Sequence, residues 1–203
     1  MNKFEIFLAG HGGQGVLDLG NFLAFNWLLD NHHVVYTPSY GPETRGGKVR
    51  CFVIISREEV DSPIILHPDL MIVMNMPSMD FVPLIKKNGY LIYNSSLINK
   101  APDRSDLTAI AVPATEIADN LKNKLSQEVL GDIKDTKLLQ NAVVYGVILA
   151  LAKGDRSKVT EVISHFYTGK KGKYIQLNVK AAEAGMKFVD ENNFAKWNIL
   201  NNR

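Results

Sequence analysis

Residues 10–15, Gly-His-Gly-Gly-Gln-Gly, stand between a short apolar run and a long one, and that placement restricts the fold more than any other feature of the chain. Residues 4–9 read as a buried strand. From residue 16 to 30, Leu19, Phe22, Leu23, Phe25, Trp27, Leu28 and Leu29 recur at helical spacing. Strand, glycine turn and helix form the opening of a βαβ unit, which commits the chain to a sheet covered by helices. The rest of the sequence fits that start. Strands are predicted at 33–36, 49–56, 69–75, 90–94 and 107–112, and a short helix over 77–87 is stopped by Asn88-Gly89. The fold class is therefore α/β, with a mostly parallel, doubly wound sheet of five or six strands and a Rossmann-like first turn.

The character of the chain changes after Pro113. Helices are predicted at 115–121 with Thr115 as cap, at 136–153 closed by Gly154, at 157–167 and at 178–192. The polar stretch 122–135 reads as an exposed excursion, and Lys170-Lys171-Gly172-Lys173 as a basic turn. With 203 residues and no repeat, a single α/β domain over 1–203 is expected, its core at about 3–189.

Bulk chemistry excludes several classes. A formal charge of +2 argues against nucleic acid or a membrane surface as the partner. No apolar run approaches the ~20 residues that cross a bilayer. The residues after Met1 lack the pattern of a signal peptide, so a cytoplasmic setting is expected. Cys51 is the only cysteine, which rules out an internal disulfide and an iron–sulfur cluster held by this chain alone.

Two glycine-rich segments carry the chemical signal. Gly10-x-Gly12-x-x-Gly15 follows a strand and opens a helix, the setting in which backbone N–H groups and the helix dipole favour phosphate. The dinucleotide fingerprint also wants an acid ~20 residues on, to hold a ribose hydroxyl. Residues 36–39 are Tyr, Thr, Pro and Ser, so NAD is disfavoured. A tight turn that only packs helix on strand stays open, beside binding of a phosphate-bearing or peptide-like group. The second segment is Pro38-Ser39-Tyr40-Gly41-Pro42-Glu43-Thr44-Arg45-Gly46-Gly47. Glu43 and Arg45 lie two apart and point the same way in extended backbone; the guanidinium suits phosphate or carboxylate. A rigid surface turn is the alternative.

Other candidates carry less. The five histidines show no metal-ligand spacing, and Cys51 reads as an inert core thiol. No Gly-x-Ser-x-Gly elbow or P-loop is present. Tyr145 and Asn141, one turn apart on an apolar helix, either reach a ligand or satisfy backbone at a helix crossing. Lys170, Lys171 and Lys173 read as a solvated loop, with contact to an anionic tail as the alternative.

Taken together, GHGGQGV, PSYGPETRGG, Ser62-Pro63, Asn141 with Ala142 and Gly146, and Asn178 with Ala181 and Gly185 resemble the gamma subunits of the 2-oxoacid:ferredoxin oxidoreductases. The 2-oxoglutarate type is nearest, the pyruvate and ketoisovalerate types close behind. The resemblance runs over about residues 3–189, and 122–135 departs from it as a local insertion. It implies a pyruvate-oxidoreductase catalytic-domain-like fold within a multi-subunit enzyme that turns a 2-oxoacid into an acyl-CoA. Thiamine diphosphate, Mg2+ and iron–sulfur clusters are then expected on partner subunits only: alpha, beta and in some complexes delta, with ferredoxin as acceptor. For this chain the resemblance implies binding of coenzyme A and assembly, through Gly12, Gly13, Gln14, Gly15, Tyr40, Gly41, Glu43, Arg45, Gly46 and Gly47. No residue is assigned proton transfer. The alternatives are a purely structural interaction subunit, or a free-standing dinucleotide-binding protein. Self-association of the isolated chain is allowed.

Overall fold

A computed structural model describes residues 2–40, 47–125 and 136–197, with the side chains of Tyr40 and Lys137 excepted. Contacts divide the chain into two compact units at the Pro113–Ala114 junction, where the sequence changes character.

The first unit is built on a six-stranded sheet in the order β2-β3-β1-β4-β5-β6. Its strands are β1 (Lys3–His11), β2 (His33–Tyr40), β3 (Lys48–Ser56), β4 (Leu70–Val73), β5 (Tyr90–Asn94) and β6 (Thr108–Val112). β1, β4, β5 and β6 run parallel, and β3 alone is reversed, pairing antiparallel with both β1 and β2. The mostly parallel α/β architecture is as the sequence indicates. The opening unit differs in one respect: β2 is not the neighbour of β1, because β3 lies between them. The reason is the loop. Residues 41–47 are too few for a crossover to a parallel neighbour, which takes a dozen or more residues, so the chain turns back as a hairpin.

Helix α1 (Val16–Leu29) lies against the sheet face that carries Tyr36 and Cys51. The approach is close enough that a Cβ on Gly20 would fall 2.6 Å from Cys51 Sγ and 2.7 Å from Tyr36 Cε2. On the opposite face, Phe7, Ala9, Met71, Val73, Leu91 and Tyr93 form an apolar cluster with Val82, Ile85 and Ile98. The segment Met76–Leu84 that covers this cluster is 3-10 rather than α-helical; Pro77 at its start and Pro83 inside it remove the donors an α-helix would use. Arg104 fixes its far end by donating from Nη1 to the carbonyls of Val82, Pro83 and Ile85.

A charged network closes the start of β1 and β4. Lys86 Nζ sits 2.9 Å from both Glu5 Oε2 and Asp69 Oδ1; Lys3 reaches Glu5 Oε1 at 2.8 Å. The Glu5 N–H donates to Asp69 Oδ2 at 2.8 Å. Burial pushes the Glu5 carboxyl up, but hydrogen bonds and charge from Lys3 and Lys86 outweigh it and hold the group below the ordinary carboxylate value.

The second unit is helical among the described residues: α2 (Ala114–Lys124), α3 (Leu139–Leu151), α4 (Val159–Phe166) and α5 (Ile175–Glu191), with 3-10 turns at Thr136–Leu138, Arg156–Lys158 and Gly169–Tyr174. Thr115 falls inside the first turn of α2 rather than ahead of it. Lys153, at φ 55°, takes the left-handed position predicted for Gly154. The last helix begins at Ile175, before the predicted 178. Residues 126–135, most of the predicted insertion, lie outside the described residues, whereas 122–124 complete α2.

Every residue of α3 is buried. It runs antiparallel to α5 at backbone contact. A Cβ on Gly146 would lie 1.9 Å from the Ala182 carbonyl oxygen, and one on Gly185 would lie 2.0 Å from that of Val143. Tyr145 is fully buried; Asn141 Nδ2 donates to the Leu138 carbonyl at 3.3 Å, while its buried Oδ1 has no hydrogen-bond partner among the described residues.

Candidate functional site

The carboxyl ends of β1 and β4 and the hairpin end of β2 and β3 share one rim of the sheet, and the two glycine segments meet there. β1 pairs with β3 up to His11 opposite Lys48. One residue further, the Gly12 N–H donates to the Gly47 carbonyl at 2.9 Å, tying the two segments backbone to backbone. Tyr40 ends β2, opposite Val49. Gly41, Glu43, Arg45 and Gly46 lie outside the described residues.

The first turn has the geometry its glycines permit. Gly13 has φ 91° and Gly15 has φ 68°, both in the left-handed region that penalises a side chain. Gly15 stands at the start of α1 and makes no side-chain cap hydrogen bond, so the first turn of the helix directs backbone N–H groups toward the rim. Asp18 in that first turn already uses part of the dipole's favourable interaction with negative charge. Gly12 and Gly13 are exposed.

Gln14 sits among these residues but turns its amide inward. Its Oε1 accepts from the His11 N–H at 2.8 Å and from Asn75 Nδ2 at 2.9 Å, and its Nε2 donates to the Met74 carbonyl at 3.2 Å. Asn75 in turn caps the 3-10 segment by accepting from Ser78 N–H and Oγ. Gln14 thus shapes the turn by joining it to the end of β4. A Cβ at Gly10 would fall 2.6 Å from Val16 Cγ2 and 2.9 Å from Gln14 Oε1, so this strap also demands glycine at its base.

Cys51 lies beneath the first turn of α1, with Sγ 3.5 Å from the Val16 carbonyl. Burial pushes its thiol well above the ordinary range, which leaves it protonated and unreactive.

Two cations at this rim were not singled out in the sequence. Lys48 and Arg50 alternate with Val49 on β3, so they share the sheet face of Phe52. The signal was available as a period-two pattern of charge directly after the glycine loop. Among the described residues, no group of three His, Cys, Asp or Glu side chains is arranged to hold a metal ion.

What the chain can do chemically at this rim is offer backbone N–H groups and fixed positive charge to an anion. Comparisons with known proteins identify the family. The family model described as pyruvate ferredoxin/flavodoxin oxidoreductase matches residues 5–188. Ketoisovalerate oxidoreductase subunit VorA of Methanothermobacter thermautotrophicus is 35% identical over 193 residues, covering 94% of this chain and 37% of that protein. The chain therefore spans well under half the length of that relative. 2-Oxoglutarate synthase subunit KorC of Archaeoglobus fulgidus is 32% identical over 184 residues, covering 90% of this chain and 86% of that protein. Among solved structures, the gamma subunit of a keto/oxoacid ferredoxin oxidoreductase from Geobacter sulfurreducens superposes with a TM-score of 0.72 at 25% identity, covering 92% of this chain and 96% of that one. A 2-oxoglutarate:ferredoxin oxidoreductase from Magnetococcus marinus, solved with 2-oxoglutarate, coenzyme A and succinyl-CoA bound, shares the fold with a TM-score of 0.75 at 19% identity over 98% of this chain and 32% of that one.

Proposed function

Because the chain belongs to the pyruvate ferredoxin/flavodoxin oxidoreductase family, we propose that it serves as the gamma subunit of a 2-oxoacid:ferredoxin oxidoreductase and that its glycine rim binds coenzyme A. In this reading the complex decarboxylates a 2-oxoacid oxidatively and delivers the acyl group to coenzyme A. Thiamine diphosphate, Mg2+ and the iron–sulfur clusters belong to partner chains, since one cysteine cannot ligate a cluster. 2-Oxoglutarate is the proposed oxoacid, because the KorC relative, named for that substrate, is matched over most of its own length.

The observation that carries the reading is the Gly12 N–H to Gly47 carbonyl bond, which makes one rim of two glycine segments far apart in sequence. At that rim an uncapped helix start and nearby cations suit the pyrophosphate and phosphate of the coenzyme. Gly12, Gly13 and Gly15 supply close backbone approach, Gln14 holds the turn in shape, and Tyr40, Gly41, Glu43, Arg45, Gly46 and Gly47 are the residues of the second glycine segment proposed to contact the ligand. The chain's own part is to bind and orient the coenzyme.

The inward engagement of Gln14 favours a second reading, in which the rim docks a partner's backbone and takes no small molecule. Thermal denaturation of the complex separates the two. At coenzyme A concentrations 100 times the dissociation constant, binding stabilises by ~2.7 kcal/mol, while docking alone gives no shift. Arg45→Ala is expected to reduce acyl-CoA formation by the purified complex far more than it lowers the melting temperature. A complex that co-purifies without thiamine- and cluster-bearing chains overturns the assignment.

A further inference from the structure

Beside the glycine junction, on the face of the sheet away from α1, β3 carries the two cations that the reading above invokes without assigning either a ligand group. Register places Arg50 opposite Ala9 and Lys48 opposite His11, on the same face as Phe7 and Phe52. Arg50 Cζ lies 5.5 Å from the centroid of the Phe81 ring. Phe81 packs edge-on against Phe7, and Phe7 stacks on Phe52 with centroids 4.9 Å apart, so the ring beneath the guanidinium is held in a platform of three rings. An aromatic face orients a guanidinium without using its N–H donors. Among the described residues, no carboxylate forms an ion pair with Arg50 or Lys48, and the exposed Asp80, next to Phe81 in the chain, pairs with neither. His11 Nδ1 is buried and has no hydrogen-bond partner among the described residues.

These facts do not fit a structural ion-pair network, in which each cation would meet an acid, as Lys86 does at the other end of β1. Nor do they fit a solvated surface, because Arg50 is half-buried and fixed over a ring. A fixed, unpaired guanidinium with an ammonium on the same face and an unsatisfied imidazole nitrogen suits a multiply charged oxyanion. From Gly47 to Arg50 the strand advances about 10 Å, within reach of a second charged group on one extended ligand.

We propose that Arg50, Lys48 and His11 form a phosphate subsite, which holds a phosphate group of the ligand whose other end lies at the Gly12–Gly47 junction. The inference rests on the coenzyme A reading for the identity of that ligand, and on the platform geometry for the site itself.

Isothermal titration of the purified full chain tests it with coenzyme A, dephospho-coenzyme A, pantetheine and inorganic pyrophosphate. Arg50→Met keeps the stem over Phe81 and removes the charge. It is expected to weaken coenzyme A by about tenfold to a hundredfold and to leave pantetheine, which lacks phosphate, unchanged. Arg50→Lys should recover part of the loss, and the far-ultraviolet circular dichroism of both variants should match the parent. A loss that persists with dephospho-coenzyme A assigns the subsite to the pyrophosphate; a loss that disappears assigns it to the terminal phosphate. Either outcome supports the proposal. Coenzyme A affinity within twofold of the parent in Arg50→Met, or an equal loss for pantetheine, overturns it. If neither the parent chain nor the purified complex binds coenzyme A, the functional reading falls, and pyrophosphate decides the subsite alone. Binding abolished by Arg50→Met sustains the subsite, and no pyrophosphate binding to the parent overturns it.

Discussion

Lys86→Met removes the cation that two buried carboxylates share while keeping the length of its stem. Glu5 and Asp69 side chains are only 7% and 6% exposed, and Lys86 Nζ is 2.9 Å from an oxygen of each. Taking one partner from a buried pair typically costs 3–5 kcal/mol, because the remaining charge stays desolvated. Here the lysine side chain is 39% exposed and Lys3 still reaches Glu5, so water and a second cation screen part of the loss. The expected destabilisation at pH 7 is about 2–3 kcal/mol, or roughly 4–12 °C in melting temperature for a chain of this size.

The pH dependence follows from the signs of the shifts. In the parent, the folded-state pKa of Glu5 is depressed, so its contribution is present above the unfolded value and is lost as pH falls through the folded one. For Lys86, burial pulls its pKa down, but hydrogen bonds and charge from Glu5 and Asp69 raise it overall. Its contribution is therefore full below the unfolded value and lost as alkaline pH passes the folded one. In Lys86→Met the Glu5 carboxylate loses one of the two cations that hold its pKa down, so that pKa rises and protonation of Glu5 relieves the variant. The gap between parent and variant should be widest near neutrality and narrow steadily as pH falls. Urea denaturation at pH 7 and at mildly acidic pH measures both quantities. A deficit below about 0.5 kcal/mol at pH 7, or one that widens on acidification, refutes the assignment of the network as a stabilising element.

Gly146→Ala should cost about 3 kcal/mol, since its Cβ would meet the Ala182 carbonyl at 1.9 Å; Gly172→Ala, whose Cβ would have Tyr167 O at 3.7 Å as neighbour, should change stability by less than about 0.5 kcal/mol. Paired thermal denaturation tests this, and equal effects would mean that α3 and α5 are not in backbone contact. Cys51 should react with a thiol reagent only as fast as the first unit unfolds, because its thiol is fully buried and held protonated. Rapid labelling under native conditions would contradict that burial.

Much of the sheet can be read from the sequence, because strand and helix periods differ and α1 follows its glycine turn at once. Strand direction is less visible: the apolar run at 48–56 looks the same whichever way it points. The clue lay in loop length, since the segment between Tyr40 and Lys48 is too short for anything but a hairpin. The 3-10 character of Met76–Leu84 was encoded in Pro77 and Pro83, where apolar spacing alone suggested an α-helix. At the rim, the glycine segments marked the place, but the partners of Gln14 are Met74 and Asn75, about 60 residues away in the chain. No local pattern reports such a pairing, and so a side chain that matched a ligand-binding motif proved to hold the turn itself. The Glu5–Asp69–Lys86 network was hidden for the same reason.

That inward-facing glutamine has a further effect. Because the Gln14 amide ties the glycine turn to the end of a neighbouring strand, that turn has a support of its own beside its bond to Gly47. On the proposed reading, substitutions in the second glycine segment alter ligand preference while the anvil keeps that support.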